Sequence, residues 1–365
     1  MFDVIVIGGN LAGATAAINA ASQNVNVALV EKNKEPFTPA HCGELISDTT
    51  AKTFNFDKIG CLKNEINKMI INIANKEYVI NLKKHKMIIF DRNFVEKELL
   101  KKAEEKGVKL IIGNKMRDYK PPHEIYLENF KIIKGKIIID ASGIACQVGR
   151  RIGINTKLRP QDIGVCIQSR VQSNFDENTT KMWLHKPYAP FGYSWLFPIN
   201  EKMANIGIGI PGGQKLNLAE LLKNYIKKSI NGKYKITNTF NACEPLAPPL
   251  KPLIKDNVMI VGDAARLVYP ESGGGIENAL SSGRIAGLTA AKYIHGEISS
   301  LKNYTYSMRI KILRIKNGYK RKARASKSDK KYIHTYQRIF LILSYINKIF
   351  PNFSHYPWIT KLENL

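Results

Sequence analysis

Gly8, Gly9, Asn10, Leu11, Ala12 and Gly13 separate a β-branched run at 2–7 from a run of small residues at 14–21. A second apolar stretch, 25–30, ends in Glu31, 18 residues past Gly13. Strand, glycine turn, helix, strand and terminal acid together make a unit that grips a dinucleotide. Gly8 permits the tight turn and Gly13 lets helix and strand pack closely. The helix N-terminus offers N–H groups and a favourable dipole to a pyrophosphate, and Glu31 accepts from a ribose hydroxyl. Asn10 stands where a glycine usually lets the backbone approach the phosphates, and asparagine tolerates unusual φ better than other side chains. The alternative is a glycine-rich turn with no ligand.

A second match to the same spacing, Gly207-Ile208-Gly209-Ile210-Pro211-Gly212, lacks that context. Pro211 and Gly213 break the chain, helical character resumes only near Asn217, and no acid-tipped strand follows. It reads as a strand and a turn, so no second nucleotide site is expected there.

Two distant segments point to a flavin. A short strand at 136–140 runs into Asp140-Ala141-Ser142-Gly143, and another at 257–261 runs into Gly262-Asp263-Ala264-Ala265. Asp263 at a strand end can bond a ribitol hydroxyl. After a loop, Gly273, Gly274, Gly275 and Ile276 open a helix whose N–H groups can stabilise negative charge on a reduced isoalloxazine. Ala279, Gly283 and Gly287 recur every four residues, a stripe that lets this helix pack tightly.

Two further features carry candidate chemistry. Tyr193, Trp195 and Phe197 alternate in a strand and share one face. They are either plain sheet core or an apolar aromatic wall for a hydrocarbon substrate. Cys42 sits in His41-Cys42-Gly43-Glu44 after the second strand; a single cysteine is either a small buried apolar residue or an acid. His41 and His185 read as structural.

The glycine turn, the Asp91-Arg92 pair before a helix, DASG at 140–143 and GDAA at 262–265 with its following glycines resemble the geranylgeranyl reductase family. That family lies within the flavoproteins built like p-hydroxybenzoate hydroxylase. The resemblance covers about residues 1–300, and the P-x-x-Y-x-W-x-F-P run at 190–198 selects the reductase branch. It implies FAD, held by Gly8, Asn10, Ala12, Gly13, Glu31 and Lys32 at the adenosine end. Cys42, Gly43, Arg92, Ala141 and Gly143 join them, with Gly262, Asp263, Gly273, Gly274, Gly275 and Ile276 towards the ring. It also implies saturation of isoprenoid C=C bonds in geranylgeranyl chains of archaeal-type ether lipids. Cys42 would be the catalytic acid, and Tyr193, Trp195 and Phe197 would bind the substrate. A flavin monooxygenase, a quinone-linked dehydrogenase and a non-catalytic electron carrier are the alternatives. Electrons come from an external donor, ferredoxin or NAD(P)H.

These residues need an α/β architecture: a Rossmann-type FAD-binding domain (three-layer ββα) with an inserted antiparallel-sheet substrate domain and C-terminal helices. The expected FAD domain takes 1–60, 85–158 and 254–298, the substrate domain 61–84 and 159–253, and a basic helical region 299–365. A chain of 365 residues exceeds one hydrophobic core. The five scattered cysteines include no C-x-x-C pair, which argues against a disulfide framework or a metal site and for a reducing compartment. The N-terminus reads as a strand rather than a signal peptide, and the apolar run at 339–350 is too short to span a bilayer.

The 56 Lys+Arg against 30 Asp+Glu leave a net charge of +26, which fits a polyanionic partner or simply a lysine-rich surface. Twelve of these cations and one acid, Asp329, lie within 302–331, interleaved with Ile310, Ile312, Leu313 and Ile315. A solvated helix and an RNA-binding tail are alternatives to the reading adopted, an anionic membrane surface. The expectation is therefore a cytoplasmic protein, peripheral at the inner face of the membrane, with no nucleic-acid partner.

Overall fold

Residues 1–35, 42–82 and 86–349 are described in a computed structural model. They form two compact units, Met1–Ala40 with Asn93–Leu158 and Glu244–Asn317, and His41–Arg92 with Arg159–Cys243 and Gly318–Leu365.

In the first unit the β-branched run becomes the strand Phe2–Ile7, fully buried from Val4 onward. It pairs in parallel with Val27–Glu31 on one side and Ile132–Asp140 on the other. Val258–Ile260 and Lys109–Ile112 extend the parallel sheet outward. Met116–Lys120 and Glu124–Leu127 attach through Ile132–Asp140 as an antiparallel piece. Because sequence order jumps on either side of Phe2–Ile7, the turns after the Phe2–Ile7 and Ile132–Asp140 strands emerge together at their carboxyl ends.

The small residues after the turn form the helix Leu11–Ala21, in which every residue but Asn19 is buried. The helix Ile276–Ile294 crosses it closely. A Cβ on Gly283 would overlap the Ala12 carbonyl oxygen, and one on Gly287 the Ala16 carbonyl oxygen. That is the purpose of the four-residue stripe.

In the second unit a seven-stranded sheet runs Lys235–Pro245, Ile163–Gln172, Met203–Pro211, Ala189–Asn200, Thr179–His185, Lys68–Ile73, Lys76–Asn81. The expected antiparallel pairings of the central strands are present. One junction differs: Thr179–His185 and Lys68–Ile73 are parallel, so the sheet is mixed. Strand alternation sends Leu196 to a core shared with Leu222, Tyr225 and Ile226 of the helix Leu218–Ser229. Trp195 and Phe197 go to an opposite core with Tyr332, Tyr336 and Phe340 of the helix Asp329–Ile349.

The unit boundaries depart from the expected ones: 244–253 and 299–317 join the first unit, and 42–60 and 86–92 the second. Leu45–Ser47 and Leu62–Ile66 both pair with Met87–Phe90, which draws 42–60 and 86–92 there. The tail is not an appendage either. Tyr304, Met308 and Ile315 are fully buried in the first core, and the Tyr304 hydroxyl donates to the Ile260 carbonyl at 2.8 Å. The helix Asp329–Ile349 closes one face of the second sheet. His41 and residues 350–365 lie outside the described residues.

Candidate active site

Gly8 adopts φ +108, a conformation that L side chains avoid, and a Cβ on Gly13 would overlap the Gly8 carbonyl oxygen. Glu31, 6% exposed, accepts from Gly9 N at 2.8 Å through Oε2 and from Asn33 N at 2.8 Å through Oε1. It thus fixes the turn, and each oxygen keeps a lone pair for a hydroxyl donor. Lys32 is exposed beside it.

Asn10 behaves differently from the expectation. Its φ is an ordinary −74 in extended backbone, so no unusual φ is required of it. It is the N-cap of the helix: Oδ1 accepts from Ala12 N at 3.0 Å and Gly13 N at 3.3 Å, while Nδ2 donates to the Ala141 carbonyl at 2.7 Å. The amide therefore ties the turn to the DASG segment. A phosphate that used the Ala12 or Gly13 N–H would share it with this cap.

Asp140 and Asp263, both at strand ends, have separate roles. Asp140 is wholly buried and accepts from Ser142 N and Oγ, Val148 N and Gly149 N. Four donors fix it as the anchor of the Ala141–Gly143 turn, in which Gly143 has φ +70 and open space around its Cβ position. Asp263 lies one residue past Gly262, whose N–H is held by Ser282 Oγ at 3.0 Å. Its Oδ1 is 3.3 Å from where a Cβ on Gly275 would stand. Gly275 is the N-cap of Ile276–Ile294, and no side chain caps that end. Gly273 has φ +67, and its Cβ position is taken by the Glu244 carboxylate. This unit thus presents a side-chain-free turn, an acid at each of two strand ends and a helix start without a side-chain cap. Those features fit FAD, from ribose and pyrophosphate to ribitol and ring.

The second unit holds the other half of the expected residues. Tyr193, Trp195 and Phe197 do share a face: ring centroids are 5.6 Å apart for the first pair and 6.0 Å for the stacked second pair. Trp195 and Phe197 are each 6% exposed, while Tyr193 is half-buried. A Cβ on Gly207 would overlap the Trp195 ring, and one on Gly209 would stand 3.0 Å from Cys166 Sγ and 3.5 Å from the same ring. The glycine run at 207–212 is thus strand, as expected, and makes the bed for the indole.

The indole is also a donor. Trp195 Nε1 reaches Gln168 Oε1 at 2.8 Å, and Gln168 Nε2 reaches the Cys42 carbonyl at 2.9 Å. Gly43 lies against Phe197, whose ring would stand 3.1 Å from an added Cβ. Glu44, 4% exposed and at φ 62, donates its N–H to Cys42 Sγ at 3.2 Å. Its Oε2 accepts from Arg170 Nη2 at 2.5 Å and Asn205 Nδ2 at 2.9 Å, and its Oε1 from Arg92 N at 3.2 Å. Burial pushes the Glu44 carboxyl above its usual range, opposed by Arg170, Asn205 and the Arg92 N–H. Since every one of those partners only donates, the ionised form fits the geometry. Burial also raises the Cys42 thiol; Arg92 pulls it back and Glu44 adds to the rise. The net rise favours the thiol, the form that can give a proton.

Sequence reasoning named Cys42, Gly43 and Trp195 but not Glu44, Gln168, Arg170 or Asn205, which hold them. The available signal was Gln168 and Arg170 at alternate positions of a largely apolar strand, on the same face as Cys166. Among the described residues no group of three or more His, Cys, Asp or Glu is placed to hold a metal. No helix among them is long and apolar enough to cross a membrane.

The family described as geranylgeranyl reductase catalytic domain matches residues 162–243, and that described as FAD dependent oxidoreductase matches residues 3–185. A digeranylgeranylglycerophospholipid reductase of Methanoculleus marisnigri is 31% identical over 315 residues, 80% of this chain and 77% of the relative. A digeranylgeranylglycerophospholipid reductase 2 of Methanococcoides burtonii is 32% identical over 333 residues, 83% of this chain and 79% of the relative. A solved geranylgeranyl bacteriochlorophyll reductase-like protein from Thermoplasma acidophilum superposes with a TM-score of 0.83 at 25% identity, over 94% of this chain and 91% of that one. The chain belongs to the geranylgeranyl reductase family of FAD-dependent oxidoreductases.

Proposed function

We propose that the protein saturates isoprenoid C=C bonds in the geranylgeranyl chains of archaeal-type ether phospholipids. The observation that carries this reading is the hydrogen-bonded line from Trp195 through Gln168 to the Cys42 carbonyl, which ties the aromatic strand to the backbone of the residue that bears the thiol. The relatives' names give the substrate class.

FAD, when bound and reduced, supplies the hydride. Trp195 and Phe197 are packed into the second core and back the half-buried Tyr193, whose ring offers an apolar contact that orients a chain with no polar handle near its double bond. The Cys42 thiol gives the proton to the alkene carbon that does not receive the hydride, and the thiolate recovers a proton from water. Gly8, Glu31 and Asp263 hold the cofactor. Electrons arrive from an external donor, reduced ferredoxin or NAD(P)H.

Anaerobic mixing of the chemically reduced holoenzyme with digeranylgeranylglycerophospholipid tests the reading. Flavin reoxidation coupled to gain of one hydrogen molecule per bond, seen by mass spectrometry, is expected. Reoxidation only on admission of oxygen, with oxygen in the product, would make the protein a monooxygenase. No substrate-dependent reoxidation would make it an electron carrier.

The helix Asn303–Ala325 is the part we assign to an anionic membrane surface. Tyr306, Ile310 and Leu313 lie at helical spacing and are each at least half exposed, and Arg309 stacks 3.9 Å from the Tyr306 ring centroid. Apolar side chains beside cations fit the boundary between acyl chains and acidic headgroups. Triple replacement of Tyr306, Ile310 and Leu313 by Ser should abolish flotation with acidic vesicles while FAD stays bound. Equal binding to neutral vesicles would remove the electrostatic part of the assignment.

A further inference from the structure

Glu44 is a buried carboxylate that the reductase chemistry above does not use. It lies two residues from the proton-bearing sulfur, on a backbone conformation (φ 62) that a side chain enters only at a cost. Three elements converge to hold it. Arg170 comes from Ile163–Gln172, Asn205 from Met203–Pro211, and the Arg92 N–H from the first turn of Arg92–Glu105. Asn205, wholly buried, also donates to the Gly43 carbonyl at 3.3 Å and accepts from Arg170 Nε at 3.3 Å. The carboxylate is thus locked in place beside Cys42, and its own N–H reaches the sulfur.

Such a lock has an electrostatic consequence. Arg92, Arg170 and Asp91 are charged groups that act on Cys42 or Glu44. The Arg92 guanidinium near the sulfur would favour its thiolate. A thiolate has no proton to give. The Glu44 charge, held in place by Arg170, opposes Arg92 by disfavouring a second anion two residues away.

We propose that Glu44 is a positioning residue that, together with burial, holds Cys42 in its thiol form against Arg92, so that the proton is present when the alkene is reduced. This rests on the reading of Cys42 as proton donor, but the state of the thiol is measurable apart from turnover. Arg170 and Asn205 serve the same end by fixing the carboxylate.

The test is the pH dependence of Cys42 alkylation by iodoacetamide in the oxidised holoenzyme, read at that residue by peptide mass mapping. In the wild type the rate should still be climbing above pH ~8.5, the ordinary thiol midpoint. A midpoint at or below that value overturns the proposal with no variant needed. In Glu44→Gln the midpoint should fall by roughly one unit, so that alkylation at neutral pH is about tenfold faster. An unchanged midpoint in a variant that retains FAD also overturns it.

Turnover separates the two readings. If both hold, the alkaline limb of kcat in Glu44→Gln moves down with the alkylation midpoint, with KM little changed. If the midpoint moves while the kcat profile stays, Glu44 controls the thiol but Cys42 is not the donor, and the proposal fails as a statement about the reaction.

Discussion

Trp195 and Cys42 are linked by one side chain: Gln168 accepts the indole N–H at 2.8 Å and donates to the Cys42 carbonyl at 2.9 Å. Gln168 is 3% exposed, so neither bond has water as a ready substitute. An aromatic residue that sequence patterning assigns to a substrate wall therefore also sets the position of the loop that carries the acid.

Gln168→Glu separates the two bonds. The carboxylate still accepts from Trp195 but offers the Cys42 carbonyl no donor while it is ionised. Turnover should fall while FAD binding is kept. Gln168→Leu removes both bonds, leaving the indole N–H and a carbonyl unmet, and should cost about 1–3 kcal/mol of stability. Denaturant titration and steady-state kinetics read the two effects; wild-type turnover in both variants would mean that the loop holds itself.

Asp263 and Asn10 bear on cofactor retention in different ways. Asp263 stands by the Gly275 helix start, where Asp140 instead anchors the Ala141–Gly143 turn. Asp263→Ala should weaken FAD by about 1–3 kcal/mol if a buried ribitol bond is lost. Asn10→Ala removes an N-cap and should lower apoprotein stability by about 1 kcal/mol. Affinity for FAD should change less in this variant than in Asp263→Ala, because the Ala12 and Gly13 N–H groups are released for phosphate. Reconstitution of apoprotein followed by flavin fluorescence measures both.

The glycine turn, Glu31 and the small-residue helix were legible because they lie within about thirty consecutive residues and each has a local geometric reason. The Glu44 network was not, since its partners stand at positions 92, 168, 170 and 205 and only the folded sheet brings them together. The strand pairing of Leu45–Ser47 with Met87–Phe90 is equally non-local, and it moves the unit boundary that composition placed at 60/61. The tail reads in sequence as a basic helical region because its charge dominates its composition. Yet Tyr332, Tyr336, Phe340 and Leu343 recur at helical spacing, and that apolar stripe is the face packed into the second core.

His185 ties that stripe to the sheet and gives the fold an acid-sensitive point. It is 2% exposed, accepts from Phe191 N through Nδ1 at 2.9 Å, and stacks near Tyr332 at 4.9 Å between centroids. Burial lowers its pKa from the model-peptide value of 6.5, with Asp329, 3.3 Å from Nε2, opposing the shift. The unfolded chain then binds the proton more readily than the folded one. Its contribution is complete above about pH 6.5 and is lost progressively as pH falls from there towards the folded value. His185→Gln keeps an acceptor for Phe191 N and should flatten the decline in stability between about pH 6.5 and 5. Thermal unfolding across that range checks it; parallel curves for variant and wild type would assign the acid sensitivity elsewhere.

Cys42 carries the sharpest expectation. Cys42→Ala should retain FAD and accept electrons, because the turn at Gly8 and the acid at Asp263 are untouched, yet reoxidation by the alkene should slow. General acid catalysis contributes about 10²–10⁴-fold, so a defect of at least tens-fold is expected where no water replaces the thiol. Cys42→Ser discriminates shape from acidity. A hydroxyl is close in size and still accepts from the Glu44 N–H that reaches the sulfur at 3.2 Å, but it is a far weaker acid. A serine variant as slow as alanine places the function in the proton. A serine variant near wild type places it in packing or in the ordering of a water. Normal turnover in both would reduce Cys42 to a small residue against the Gln168 amide, and Tyr193, half-buried at the end of the aromatic row, would be the next hydroxyl to test.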